Sequence, residues 1–488
     1  LSALSKKLPH LTPKERVLLL LLLLVFIVLR LAFAQSSFSL DEILSLETAK
    51  ASSNFFHPFY LFEDNNHLIN TLYLYLVKNS GNWTIYRLLS VFFGCLTVLL
   101  PCVFFRLFAS RANFYSVLLI FGLSFFLLTY QSEARGYSSL IFSAFFAYFL
   151  QKSTLADPKP TTDLKTILLF SCVNILGAIS HPTFYFFYGA LFFSALYKNY
   201  FPKVVRFHFF SLVGLSSIYL GFYAKIIVLG SSTRDPLEVI TRAFGLSYGL
   251  SGLAVPLIIG FLVPIFLWQY FLLFKKREWH DLIFFTVLLF INLVFPYIQG
   301  TPEQVSERYF ILPAIFSVYF LTLAAGSWPS KDFRSYSFAL FIILFLAGNI
   351  YLITNFFRFG ARGNYGPALR YMAEKEPTGD ILIAGYQDFR ILTLLNFYSQ
   401  EAKQTGKKLI YLPGQQKNAN WFITESQWHM RQKNSPTLYL GSLQLEPPPE
   451  KIDVFGVSYI LAKTFPQYGL TGTQWSLYRN QSSPKLSP

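Results

Sequence analysis

Charge is scarce in this chain. Asp, Glu, Lys and Arg supply 14% of its 488 residues, whereas a water-facing surface needs roughly a quarter to a third. Beside 53% hydrophobic and 19% aromatic residues, that shortage excludes a disordered chain and points away from an ordinary soluble enzyme. Cysteine is scarce too. Cys95, Cys102 and Cys172 are the 3 present, and each sits inside an apolar run, which excludes a disulfide framework and a thiolate metal site. Acidic residues are outnumbered, 25 against 41 Lys and Arg, for a net charge of +16. In a soluble protein that excess would raise nucleic acid as a partner. In a chain this apolar it is read as topology, because basic residues collect in loops that stay in the cytoplasm, and no nucleic-acid partner is expected. Internal repeats and low-complexity tracts are absent.

What the chain does have is apolar runs long enough for the bilayer, where a spanning helix needs about 17–25 mostly apolar residues. They lie near 16–34, 88–105, 112–130, 136–151, 165–180, 182–198, 207–230, 251–274, 281–299, 309–326 and 336–357. The spacing predicts a polytopic α-helical membrane protein with about eleven spans. The first run imitates a cleavable signal peptide, with basic Lys6–Arg16 before it and Ala32-Phe33-Ala34 at its end; we read it as the first helix. Assigning loops alternately to two sides puts Lys6, Lys7, Arg106, Arg111, Lys152, Lys203, Lys275, Lys276 and Arg277, among others, on one side. The poorer side holds Lys50, Lys78, Arg87, Arg135, Arg234, Arg242 and Arg308. The N-terminus is therefore expected in the cytoplasm and the C-terminus outside; the compact loops suit a bacterial cytoplasmic (inner) membrane, with the ER as the alternative.

After residue 357 the composition turns polar. Short β-rich pieces at Asp380–Tyr386, Lys408–Leu412, Thr437–Leu443, Val457–Leu461 and Trp475–Tyr478 join helical patterns at Pro367–Glu376 and Asp388–Glu401. We expect two domains: a transmembrane domain over 1–357 and a small extracytoplasmic α/β domain over 358–488.

Ionisable residues at the expected outer boundary are functional candidates, because a charge near hydrocarbon is costly unless paired or hydrated. Asp41 and Glu42, just beyond the first helix, suit a general base or a divalent cation, and equally a solvated loop. Glu63-Asp64-Asn65-Asn66-His67 offers acids, amides and an imidazole to sugar hydroxyls, or else caps a helix. Arg87 opens the second span, where a fixed cation would face a phosphate. Glu133 and Arg135 share a compressed turn, either as an internal ion pair or as substrate contacts. His181-Pro182 begins another span. Glu303 and Glu307-Arg308-Tyr309 precede the tenth; Arg308 suits a phosphate held bidentately, with its stem in the apolar layer. Arg234-Asp235 reads as a solvated pair. The expected spans are nearly free of ionised groups at their centres, Lys225 excepted, which favours an interfacial enzyme over a transporter.

Together these residues resemble the GT-C membrane glycosyltransferases, the family of protein O-mannosyltransferases and the aminoarabinose transferase of lipid A. The likeness rests on Asp41-Glu42, Asn65-Asn66-His67-Leu68, Arg87-Leu88-Leu89-Ser90, the Gln131–Arg135 motif, His181-Pro182 and Arg308-Tyr309, in that order. It departs from the protein mannosyltransferases where their His-Pro-Pro is here His67-Leu68-Ile69. The resemblance implies inverting transfer of a sugar from a polyprenyl-phosphate carrier to an acceptor outside the cytoplasm, without a nucleotide sugar. Asp41 would be the base and Glu42 its orienting neighbour. Arg87 and Arg308 would take the carrier phosphate, and His67, with Asp64, Asn66, Glu133, Arg135 and His181, the sugar or acceptor. No cofactor is required on this reading, although Asp41 and Glu42 could bind a divalent cation. A lipid-linked oligosaccharide ligase or polymerase is the nearest alternative, and a transporter-like, non-catalytic membrane protein the next.

Overall fold

The computed structural model describes residues 12–62, 66–108, 111–156, 163–198, 201–225, 236–250, 254–298, 307–325, 331–359, 362–376, 379–386, 388–403, 406–414, 418–425, 448–454, 456–466 and 474–481. Among them the chain is mostly helical, with one six-stranded sheet near the C-terminus. It divides into two compact units. One is Leu1–Gln35 with Ser45–Leu352, the other Ser36–Leu44 with Ile353–Pro488.

In the first unit, helix α1 (Pro13–Ala34) opens on a capping box. Thr12 accepts from the Glu15 amide, the Glu15 carboxylate accepts from the Thr12 amide at 2.7 Å, and Pro13 occupies the first turn. Its 22 residues rise about 33 Å, enough for a hydrocarbon core of about 30 Å. Leu20, Leu21, Leu24 and Val28 point outward, while Phe26, Arg30 and Phe33, spaced on one helical face, are buried. An apolar exposed face with the polar group inside is what a lipid solvent selects.

Three other described helices share that length and apolarity: Trp83–Val103, Val204–Lys225 and Ala339–Arg358, so four can cross a membrane. Several shorter apolar helices pack among them, including Leu68–Val77, Leu164–Ser180 and Phe184–Tyr197. The expected run 112–130 is not one helix. It breaks into Arg111–Leu123 and Phe125–Tyr130 because the Ser124 hydroxyl accepts from the Leu127 amide. The freed Phe125 amide donates to Asn349 Oδ1 at 2.6 Å, so the break is satisfied inside the protein. Lys225 stands at the end of its helix rather than at its centre. Arg30, which the reading of nearly charge-free spans passed over, lies fully buried in α1.

The second unit is built on a sheet of order β2-β1-β3-β6-β5-β4. Strand β1 (Ile381–Gly385) pairs in parallel with β2 (Leu409–Tyr411) and β3 (Trp421–Glu425), and β3, β6 (Trp475–Asn480), β5 (Val457–Phe465) and β4 (Lys451–Val454) continue antiparallel. Helix Asp388–Lys403 makes the β1 to β2 crossover. Helix Tyr365–Lys375 buries Tyr365, Ala368, Leu369, Met372 and Ala373, a stripe at helical spacing. Strands β3 and β4 were not foreseen. Strand β3 is buried along its whole length and carries no alternation to read, and β4 is a short edge. The expected strand Thr437–Leu443 lies outside the described residues.

Candidate functional site

In the first unit the buried polar residues meet where the turn 131–136 crosses the ends of neighbouring helices. Helix Leu68–Val77 begins at His67. Arg135 donates from a terminal guanidinium nitrogen to His67 Nε2 at 2.8 Å, and His67 Nδ1 lies 3.3 Å from the Ser180 carbonyl. Since Arg only donates and a carbonyl only accepts, this imidazole is neutral with its proton on Nδ1. The His181 ring stacks on it, centroids 5.1 Å apart. His181 Nδ1 accepts from the Thr183 amide at 3.2 Å, which leaves the proton of a neutral ring on Nε2. Tyr137 closes against both imidazoles, at 5.1 and 5.2 Å between centroids, and its ring carries the Arg135 guanidinium at 4.9 Å.

Close approach makes this geometry possible. A Cβ on Gly136 would stand 2.2 Å from the Ser180 carbonyl oxygen and 3.2 Å from His67 Cβ, so a side chain there would push the turn away from both. The turn is also pinned by its backbone: Asn70 donates to the Ala134 carbonyl, and Ser90 to the Arg135 carbonyl at 3.2 Å. Neither Asn70 nor Ser180 was singled out from sequence, although Asn70 stands one helical turn after His67.

Arg308 enters from the short 3-10 turn Glu307–Phe310 and lies over the Tyr309 ring, which is 6.4 Å from His181. Burial depresses the His67 pKa well below the ordinary imidazole value, with Arg135, His181 and Arg308 adding to it against the Ser180 hydrogen bond. Burial likewise holds His181 low, helped by Arg135 and Arg308. The arrangement is two guanidinium groups among neutral imidazoles and tyrosine rings, a setting for a phosphate beside a polyhydroxyl group. Glu133 is fully buried, and Glu133, Glu307 and Arg308 all lie within electrostatic reach of Tyr130. Glu307 also pairs with Arg242 at 3.2 Å.

The other expected site residues fall elsewhere. Arg87 is fully buried and donates to the Ala34 carbonyl at 2.8 Å, at the negative end of α1. It sits one turn before Ser90, on the helix face that meets Arg135. Asn66 spends its amide donors on the Pro58 and Leu61 carbonyls, both at 2.8 Å, closing its own loop. Asp41 and Glu42 belong to the second unit. Ser39 caps helix Leu40–Ala51, with its amide donating to Glu42 Oε2 at 3.0 Å and the Glu42 amide to Ser39 Oγ at 3.4 Å. Glu42 is thus the acid of a capping box, while Asp41, partly exposed, stands in the first turn. Asp64, Glu303, Arg234 and Asp235 lie outside the described residues. Among the described residues no group of three or more His, Cys, Asp or Glu is placed to hold a metal ion.

Arg30 is the charged residue the sequence reading missed. Its guanidinium donates to Gln131 Oε1 at 2.6 and 3.1 Å, to the Phe121 carbonyl at 2.7 Å and to the Phe26 carbonyl at 3.1 Å. It therefore holds the first residue of the turn that carries Glu133 and Arg135. The signal was a lone Arg on the Phe26–Phe33 face of an otherwise apolar run.

Among the described residues, fold and site together define a mostly helical chain with four helices long and apolar enough to cross a membrane, a cationic and aromatic cluster around two buried imidazoles, and a small sheet-containing unit. No protein-family model matches the chain, and no curated protein sequence matches it.

Proposed function

We propose that this protein is an inverting membrane glycosyltransferase of the GT-C kind, with about eleven spans, acting on the extracytoplasmic face of a bacterial inner membrane. It moves a sugar from a polyprenyl-phosphate carrier to an acceptor hydroxyl. The observation that carries this reading is the pairing of Arg135 and Arg308 with two buried neutral imidazoles and tyrosine rings. Fixed guanidiniums suit a phosphate that gains charge as it leaves, and neutral imidazoles and phenols suit sugar hydroxyls.

In the reaction the acceptor hydroxyl gives its proton to the Asp41 carboxylate and its oxygen attacks the anomeric carbon. The bond from that carbon to the carrier phosphate breaks with its electron pair going to the phosphate, a charge that guanidinium groups stabilise. Oxocarbenium character at the sugar is expected in between. Neither a nucleotide nor a metal enters this scheme.

The test is transfer of label from radiolabelled polyprenyl-phosphate monosaccharides in membranes, with cell extract as the acceptor source, for wild type and Asp41→Asn. Transfer by wild type that vanishes in the variant supports both enzyme and base. Transfer that persists in Asp41→Asn removes Asp41 as the base, and no transfer from any monosaccharide carrier removes the proposal.

A further inference from the structure

The segment Ser36–Leu44 leaves and re-enters the first unit, whose parts end at Gln35 and resume at Ser45, yet it packs as part of the second. Its anchors are specific. Phe38 is fully buried and stacks on Phe397, ring centroids 5.7 Å apart and 20° from parallel. The Tyr398 hydroxyl donates to the Phe38 carbonyl at 2.9 Å, and the Arg362 guanidinium donates to the Ser36 hydroxyl. Phe397 and Tyr398 sit in the C-terminal half of helix Asp388–Lys403, whose N-terminal half carries buried Ile391 and Leu394. Immediately after Phe38 come the cap Ser39 and the first helical turn with Asp41 and Glu42.

We propose that the C-terminal unit is the positioning element for the Asp41 segment, with Phe397, Tyr398 and Arg362 as positioning residues. This rests on the reading of Asp41 as the base. A stacked ring, a backbone hydrogen bond and a guanidinium contact fix Ser36 and Phe38, and the Ser39–Glu42 capping box carries that order forward to Asp41. A base misplaced by about 1 Å costs on the order of a hundredfold in rate, so loosening these anchors lowers turnover while leaving donor affinity alone.

The experiment uses the full-length protein in lipid nanodiscs, comparing wild type, Phe397→Ala, Tyr398→Phe and the rescue variant Phe397→Tyr. Two readouts run in parallel: hydrogen exchange of peptides covering 36–44, and kcat with donor KM for sugar transfer. Faster exchange confined to 36–44 in Phe397→Ala and Tyr398→Phe, with kcat down about tenfold or more and KM unchanged, supports the proposal. So does recovery of both readouts in Phe397→Tyr. Faster exchange with unchanged kcat overturns the positioning role and leaves the glycosyltransferase reading intact. Unchanged exchange overturns the docking itself. Absence of transfer by wild type overturns the functional reading and the positioning role with it, while the exchange data still report whether the segment is held. A variant that loses exchange protection throughout the chain is unfolded, and Tyr398→Phe, which removes one hydroxyl, then decides.

Discussion

Two imidazoles and two guanidiniums in one buried neighbourhood set the behaviour of single residues. Because burial and the nearby arginines depress the pKa values of His67 and His181, the unfolded chain binds more protons than the folded one below the ordinary imidazole pKa of about 6.5. Stability therefore rises with pH through that region and is lost as pH falls below it. The thermal midpoint in detergent should drop between about pH 6.5 and 5, and a His67→Gln, His181→Gln double variant should flatten that dependence. Gly136→Ala forces its new Cβ against the Ser180 carbonyl. Overpacking of this kind costs about 1–3 kcal/mol, and its expected signature is a larger loss of transfer than of folded protein. Of these residues, His67, Arg135, His181 and Arg308 were readable as candidates because each is an ionisable group at the end of an apolar run. Asn70, Ser180 and Gly136 were not, since an amide, a backbone carbonyl and a missing side chain acquire meaning only from what lies across from them.

At the scale of elements, buried polar groups bind the helices to one another. Arg30 joins α1 to the turn after Phe125–Tyr130 through Gln131 and to the Phe121 carbonyl. Arg30→Met leaves those acceptors buried without their donor, at roughly 1–3 kcal/mol for each. A Gln131→Leu change on the same pair should be strongly non-additive with it, measurable as thermal midpoints of the two single variants and the double. A methyl on Gly94 meets Arg30 Nε at 2.9 Å, so Gly94→Ala is expected to destabilise through the same lock. Lys152 of helix Tyr137–Ala156 and Asp281 of helix Trp279–Ile298 form a partly buried ion pair at 2.5 Å, with Tyr148 and His280 also bonded to Asp281. Gln151 donates to His280 Nε2 and Ser194 gives its hydroxyl proton to the Leu191 carbonyl. Ser194 Oγ also lies 3.3 Å from His280 Nε2, so Gln151, Ser194, His280 and Asp281 link neighbouring helices through one run of side-chain contacts. The break at Ser124 was invisible in composition, because a serine in an apolar run reads as a tolerated polar residue until its hydroxyl is seen capping a new helix.

For the whole molecule, the excess of Lys and Arg on one set of loops predicts an N-terminus inside and a C-terminus outside. An impermeant reagent applied to intact bacterial spheroplasts should reach a tag at the C-terminus and not one at the N-terminus; the reverse pattern would put the His67 cluster on the cytoplasmic side and end the extracytoplasmic reading. The division into two units bears on the same point, since the segment carrying Asp41 folds with the polar C-terminal unit although both its flanks belong to the helical one.

Sequence by itself pointed to a lipid solvent and to the class of this protein's elements. A shortage of charge with long apolar runs leaves a backbone little choice but helices in a lipid environment, and the polar, Pro-containing tail with β-rich pieces separates itself by composition. Tertiary structure decided the rest, for reasons of contact. It placed Arg30 inside and its apolar neighbours outside, broke one run at Ser124, and lent Ser36–Leu44 to the C-terminal unit. It also brought His67, Arg135 and His181, far apart along the chain, within hydrogen-bonding and stacking distance, because Gly136 lets one turn approach the end of another helix. Periodicity records which face of an element is apolar, but not which partner that face meets.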